Sequence, residues 1–214
     1  MRYPKKFANF TDRQGRAAFI AQTFEVELNS SERVLDVGCD YNSLKKIVGK
    51  KVLGIDLYGA PDIKVDFEKD LLKQFNSNTF DFVVCTEVLE HLEHFHAMVD
   101  ELFRVSRKYV LISLPNSLSI FAKFNILFHD NAGKYYGLPQ QPPEDRHRWF
   151  FGYKDIDRFF RAYTAAHGYQ LNRRFLVMNF STGWKGKVVR LLVSTLGLNS
   201  ASGSYWLLIE KPHD

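Results

Sequence analysis

Five short apolar-rich runs recur up to residue 116 of the chain: Val34–Val37, Lys51–Asp56, Ile63–Phe67, Phe80–Cys85 and Tyr109–Asn116. Each is the length of a buried strand, and each ends on polar or turn-forming residues. Between them the apolar positions change to helical spacing. Ala17, Ile20, Ala21 and Phe24 fall on one face, and Thr11 with Gln14 three residues on fits a capping box opening that helix. A short helix is expected at about 43–49. Val88, Leu92, Val99 and Leu102 mark another, with Glu87 and Glu90 at its start and Arg104, Arg107 and Lys108 at its end, both favourable for the helix dipole. In that helix Glu87 and His91 share a face. Strands alternating with helices imply a parallel sheet covered on both sides.

Beyond Asn116 the alternation stops. Residues 117–151 are too many for a plain loop in a compact domain. Leu118, Ile120, Phe121, Ala122, Phe124, Leu127 and Phe128 are dense enough for a short apolar helix. It reads as a lid over a pocket. Membrane contact through 117–130, with Lys123 and Lys134 nearby, is the other reading, and the small polar face favours the lid. A helix at 154–166 follows, with Ile156, Phe160 and Tyr163 on one face and Gly168 as its stop. Phe175–Phe180 and Ser204–Lys211 read as the last strands, separated by a helix marked by Val188, Val189, Leu191, Leu192 and Leu196. Residues 1–29 form an arm and the first helix. No repeat, linker or second domain is visible, so 1–214 reads as a single domain.

The most informative turn follows the first strand. Arg33-Val34-Leu35-Asp36-Val37-Gly38-Cys39-Asp40-Tyr41-Asn42 runs from a buried strand into a tight turn, and Asp40 and Asn42 tolerate left-handed backbone angles. In open α/β sheets such a strand ends at the ligand edge. Asp36-Val37-Gly38-Cys39 resembles the first motif of class I S-adenosylmethionine-dependent methyltransferases, usually Asp-x-Gly-x-Gly-x-Gly, with Asp40 and Asn42 standing where the later glycines usually sit. Asp56 lies 20 residues after Asp36, at the end of the second strand, where an ionised carboxylate can accept from both hydroxyls of a ribose. A dinucleotide would use the same acid, but its fingerprint needs three glycines to admit a pyrophosphate, and an aspartate near the turn repels phosphate. The ammonium and sulfonium of S-adenosylmethionine suit Asp36 and Asp40.

The resemblance covers about residues 30–180, and Phe80-Asp81-Phe82 followed by Val88-Leu89-Glu90-His91-Leu92 is its most specific part, similar to small-molecule methyltransferases. It implies a doubly wound Rossmann-like domain with a seven-stranded, mostly parallel sheet ordered 3-2-1-4-5-7-6. It further implies that S-adenosylmethionine is bound by Asp36, Gly38, Asp40, Asp56, Leu57, Asp66, Phe67, Cys85, Thr86 and Glu87, and is released as S-adenosylhomocysteine. Asp66 would meet the adenine amino group and Phe67 the ring. Methyl transfer to a small molecule follows, with oxygen the first choice of acceptor. His147, in the Arg146-His147-x-x-aromatic segment, is the favoured proton acceptor, with Glu144 or Asp145 orienting it, and His91 is the second candidate.

Composition changes this little. A net charge of +5 and a pI of about 9.1 permit an acidic partner, but the basic residues are scattered. A nucleic-acid methyltransferase is the first rival. It is not favoured, since no Asn/Asp-Pro-Pro-aromatic stretch follows the fourth strand. A non-catalytic protein that kept the fold is the second. Cys39 and Cys85 show no metal-ligand spacing, so no metal is expected, and reduced thiols suit a cytoplasmic protein. The amino terminus leads into no signal-peptide core, and no run is long enough to span a membrane.

Overall fold

The apolar runs pair into one eight-stranded sheet in a computed structural model that describes residues 3–8, 10, 12–129, 132–133, 135–138, 140–141, 146–179, 191 and 199–212. The strands are β1 (Lys5–Ala8), β2 (Val34–Val37), β3 (Val52–Asp56), β4 (Ile63–Lys64), β5 (Phe80–Thr86), β6 (Ser106–Pro115), β7 (Gln170–Asn179) and β8 (Ser204–Glu210). Their order is β1-β7-β8-β6-β5-β2-β3-β4. Without β1 this is the expected order 3-2-1-4-5-7-6. The amino-terminal arm supplies the eighth strand, parallel to β7 through Lys5↔Leu176 to Ala8↔Asn179. Only β8 runs against its neighbours, antiparallel to both β6 and β7.

Strand alternation sorts the side chains onto two faces. On one face Val34, Val52, Phe82, Val84, Leu111, Trp206 and Leu208 pack under α1 (Arg13–Thr23), α2 (Glu25–Asn29) and α3 (Ser43–Val48). Trp206 stacks on Phe24 and Phe175 there, and its indole N–H donates to Ser204 Oγ at 2.8 Å. On the other face Leu35, Val37, Val83, Cys85, Ile112 and Leu207 pack under α4 (Phe95–Val105) and α6 (Tyr153–His167). Fully burying each such side chain contributes about 1.5–3 kcal/mol.

Several local expectations change. The capping residue Thr11 lies outside the described residues, and Asp12 caps α1 by accepting from the Gly15 N–H at 2.7 Å. The helix around Val188–Leu196, apart from Leu191, and Lys134, Glu144, Asp145 and Phe180 also lie outside them. The third strand shrinks to two exposed edge residues, so Asp66 and Phe67 lie in the turn beyond it. That turn is closed by Asp70 N–H on Asp66 O at 2.9 Å.

The helix expected from Glu87 onward is broken. A single 3-10 turn, Leu89–His91, precedes an extended Leu92, and α4 begins only at Phe95. The reason lies 57 residues away. The Glu90 carbonyl accepts from the Arg148 N–H (2.8 Å), the His91 carbonyl from Arg148 Nε (2.9 Å) and the Leu92 carbonyl from Trp149 Nε1 (2.7 Å). Carbonyls satisfied this way do not need a continuing helix. Glu87 and His91 therefore do not share a helix face. The helix expected in 117–151 forms as α5 (Ile120–His129), with no residue buried; Phe121 is 53% and Leu127 75% exposed.

A buried carboxylate ties the arm to the body. Asp157 on α6 accepts from Tyr3 (2.9 Å) and Tyr205 (2.7 Å) hydroxyls and from Arg174 (2.5 Å). Burial alone would raise its pKa, but the bonds from Tyr205, Arg174 and Tyr3 outweigh that and hold the carboxyl below its usual range. Asp157→Asn keeps the shape but removes the charge that pairs with Arg174 and leaves at least one donor, the Tyr3 hydroxyl, facing an amide N–H2. It should cost about 1–3 kcal/mol and lower the melting temperature by several degrees. An unchanged melting curve would show that this cluster does not hold β1 in place.

Candidate functional site

The carboxyl ends of β2, β3 and β5 open onto a cleft of about 460 Å³. Its floor is the turn after β2. Gly38 has φ +78°, and a Cβ there would meet Val88 Cγ2 at 2.2 Å, so the chain passes Val88 only as glycine. Asp40 and Asn42 adopt left-handed angles, φ 52° and 56°. Their side chains anchor the bend. Asn42 Nδ2 donates to the Ala60 carbonyl at 2.9 Å, and Asp40 pairs with Arg13 of α1 at 2.5 Å. The Asp40 carboxylate, expected to lie near a bound cation, already pairs with Arg13.

Asp56 ends β3 and closes the turn. Its Oδ2 accepts from the Asp40 N–H (2.8 Å) and its Oδ1 from the Tyr58 N–H (3.1 Å). A carboxylate has about four acceptor positions, so about two remain on this cleft-lining residue. Gly38, Asp40, Asp56, Leu57, Asp66, Phe67 and Glu87 all line this cleft, together with His91, Arg13 and Arg16. Asp66 also pairs with Lys69 at 2.9 Å, and Phe67 is both cleft lining and core.

Asp36 and Thr86 line an adjoining recess under α1, with Arg13, Arg16 and Gly38. Burial raises the Asp36 carboxyl to about 7, with Arg16 lowering it and Asp56 raising it further. Glu87 is raised too, by desolvation, against Arg16 and a 2.9 Å bond from Ser113 Oγ. Its backbone, at φ 57°, still extends the ladder by donating to Ser113 O at 3.1 Å. Cys85 does not reach the cleft. Strand alternation turns it into the core beneath α4, fully buried, where desolvation pushes its thiol well up. Arg13 and Arg16 were missed from sequence. Their spacing of three on the polar side of α1 was the available signal.

A second cavity of about 250 Å³ lies beside α5, lined by Asn116, Ala122, Ile126, Tyr136, His147 and Phe150 among others. His147 is buried, stacked on Tyr135 with ring centres 4.0 Å apart. It meets His91 edge to face at 4.7 Å. His91 lines the first cleft and His147 the second, so this ring pair stands where the two meet. The sequence put the histidines 56 residues apart; the bonds from Arg148 and Trp149 to the broken helix bring them together.

Residues 10–164 of this chain match the family described as a methyltransferase domain. No curated protein matches the chain. Among solved structures it resembles an S-adenosylmethionine-dependent methyltransferase from Archaeoglobus fulgidus, with 17% identity, 94% of this chain and 95% of that one covered, and a TM-score of 0.58. Magnesium protoporphyrin IX methyltransferase from Synechocystis PCC 6803 is similar at 18% identity, covering 93% and 83%, with a TM-score of 0.57. A methyltransferase from Mesorhizobium loti is similar at 13% identity, covering 94% and 100%, also with a TM-score of 0.57. At these identities the structures show the shared fold. With the family match spanning well over half its length, and with the strand order and ligand-edge cleft in place, the chain belongs to the methyltransferase domain family, as its resemblance to the class I S-adenosylmethionine-dependent enzymes implied.

Proposed function

We propose that this enzyme transfers a methyl group from S-adenosylmethionine to an oxygen of a small molecule. The observation that carries the reading is the meeting of two cavities at His91 and His147, one acid-lined and one largely apolar. The first fits the cofactor. Asp36, Asp56 and Glu87 suit a ligand that is cationic and carries no phosphate, and the bare Gly38 backbone allows close approach. Asp56 would hold the ribose hydroxyls, Asp66 and Phe67 the adenine, and Asp36 and Glu87 the positive end. Bound there, S-adenosylmethionine would supply an electrophilic methyl group, its sulfur–carbon bond breaking as the acceptor's oxygen–carbon bond formed and S-adenosylhomocysteine leaving as product.

The protein's own residues do the rest. The second cavity holds the acceptor, and its size suits a small, partly apolar molecule rather than a polymer. Helix α5 forms one wall through Ala122, Asn125 and Ile126 and so covers the acceptor as a lid. Much of the rate comes from holding the nucleophile in line with the methyl carbon. A hydroxyl acceptor also loses a proton, and His147 is placed to receive it, with His91 beside it. Two buried free thiols suit a cytoplasmic enzyme, and no helix among the described residues is long and apolar enough to cross a membrane.

Two measurements test these assignments. Asp56→Ala should weaken S-adenosylhomocysteine binding by roughly 1.5–3 kcal/mol in calorimetry, since it removes a charge-assisted acceptor. Unchanged affinity in a folded variant would remove Asp56 from the cofactor site. His147→Ala should lower kcat by roughly 10²–10⁴ with cofactor affinity near that of the unaltered protein. Normal turnover would remove His147 from the reaction.

A further inference from the structure

We infer that Glu90, His91 and His147 form a binding site for one divalent transition-metal ion. A carboxylate oxygen of Glu90 and one ring nitrogen of each histidine lie within 4.8 Å of one another. Zinc or manganese would draw them to about 3–3.5 Å apart, a side-chain adjustment of about 1 Å.

The hydrogen bonds around the histidines already select the ligating atoms. His91 Nδ1 lies 3.1 Å from the Arg146 carbonyl, which can only accept, so Nδ1 carries the proton. Tyr136 has a single hydroxyl proton, and the Trp149 carbonyl takes it at 2.8 Å. The 3.1 Å bond between the Tyr136 oxygen and His147 Nδ1 is therefore donated by the ring, and Ser117 Oγ donates to the same oxygen at 2.6 Å. With Nδ1 of each ring engaged in this way, Nε2 is the ring atom that would ligate an ion. His91 Nε2 is 3.8 Å from Glu90 Oε1. Histidines held through one ring nitrogen so that the other faces a cation are the usual arrangement around metals. Glu90 is 1% exposed, so its carboxylate is held against the two rings rather than turned to solvent.

Two imidazoles and one carboxylate favour a first-row ion such as zinc, cobalt, iron or manganese over magnesium, which prefers oxygen. Three protein ligands leave positions open, and the site stands between the two cavities. There an ion would ligate the acceptor hydroxyl and make it acidic. The proton leaves to solvent and the oxygen lone pair forms the bond to the methyl carbon, so with the ion bound His147 acts as a ligand and not as the base. This role rests on the methyl-transfer reading; ion binding itself does not.

The test uses tag-free, chelator-stripped full chain titrated with Co²⁺ alone. One equivalent should bind with a visible absorption band and raise the melting temperature. His91→Asn, at a half-buried position, should weaken that binding by more than about 100-fold. Tyr136→Phe, which removes the acceptor for His147 Nδ1–H, should weaken it about 10-fold. No band at millimolar Co²⁺, or equal binding by a folded His91→Asn variant, would overturn the site. S-adenosylhomocysteine is titrated separately into metal-free protein. Cobalt binding without nucleoside binding upholds the ion site and overturns the methyl-transfer reading. Nucleoside binding without cobalt binding overturns the ion site alone.

Discussion

The Asp56 carboxylate organises the ligand edge. Each of its oxygens takes one backbone N–H, from Asp40 and from Tyr58, and so fixes the turn after β2 and the loop after β3 against each other. The turn it holds contains two non-glycine residues at positive φ, a conformation that costs roughly 1–2 kcal/mol per residue for most side chains and less for aspartate and asparagine. Arg13 on Asp40 and the Ala60 carbonyl on Asn42 help offset that cost. The corner is therefore held by side-chain bonds at positions where the motif it resembles has glycine, and its polar lining follows from those side chains.

The sheet distributes the chemistry around this corner. Asp36 points toward α1 and meets Arg16, while its neighbours Leu35 and Val37 enter the opposite core. The same alternation puts Thr86 in the recess and hides Cys85. Burial raises the Asp36 carboxyl to about 7 even with Arg16 lowering it, so a cationic ligand placed beside it would favour its ionised form. On the other side of the cleft, the bonds from Arg148 and Trp149 stop the helix after β5 and turn Glu90 and His91 toward His147. One interruption thus builds the wall between the two cavities.

Much of this was legible in the sequence because it is local. The strands, the order of acids after them, the left-handed tolerance of Asp40 and Asn42, and the stop at Gly168 depend on near neighbours. What was illegible depends on partners far along the chain. No periodicity shows that the Glu90 to Leu92 carbonyls are satisfied by residues 148 and 149, so the helix looked continuous and Glu87 and His91 looked paired. The Glu90, His91 and His147 cluster escaped for the same reason, since only two of its members are adjacent. Residues 5–8 gave no sign of being a strand, because an edge strand is defined by the β7 backbone it meets.

This corner, organised by Asp56 and floored by Gly38, is expected to receive the nucleoside. A crystal structure of the full chain with S-adenosylhomocysteine is the decisive measurement. Both ribose hydroxyls should lie within hydrogen-bonding distance of the Asp56 carboxylate, with the adenine beside Asp66 and Phe67. A ribose turned away from Asp56, or a nucleoside bound outside the cleft at the ends of β2 and β3, would contradict it.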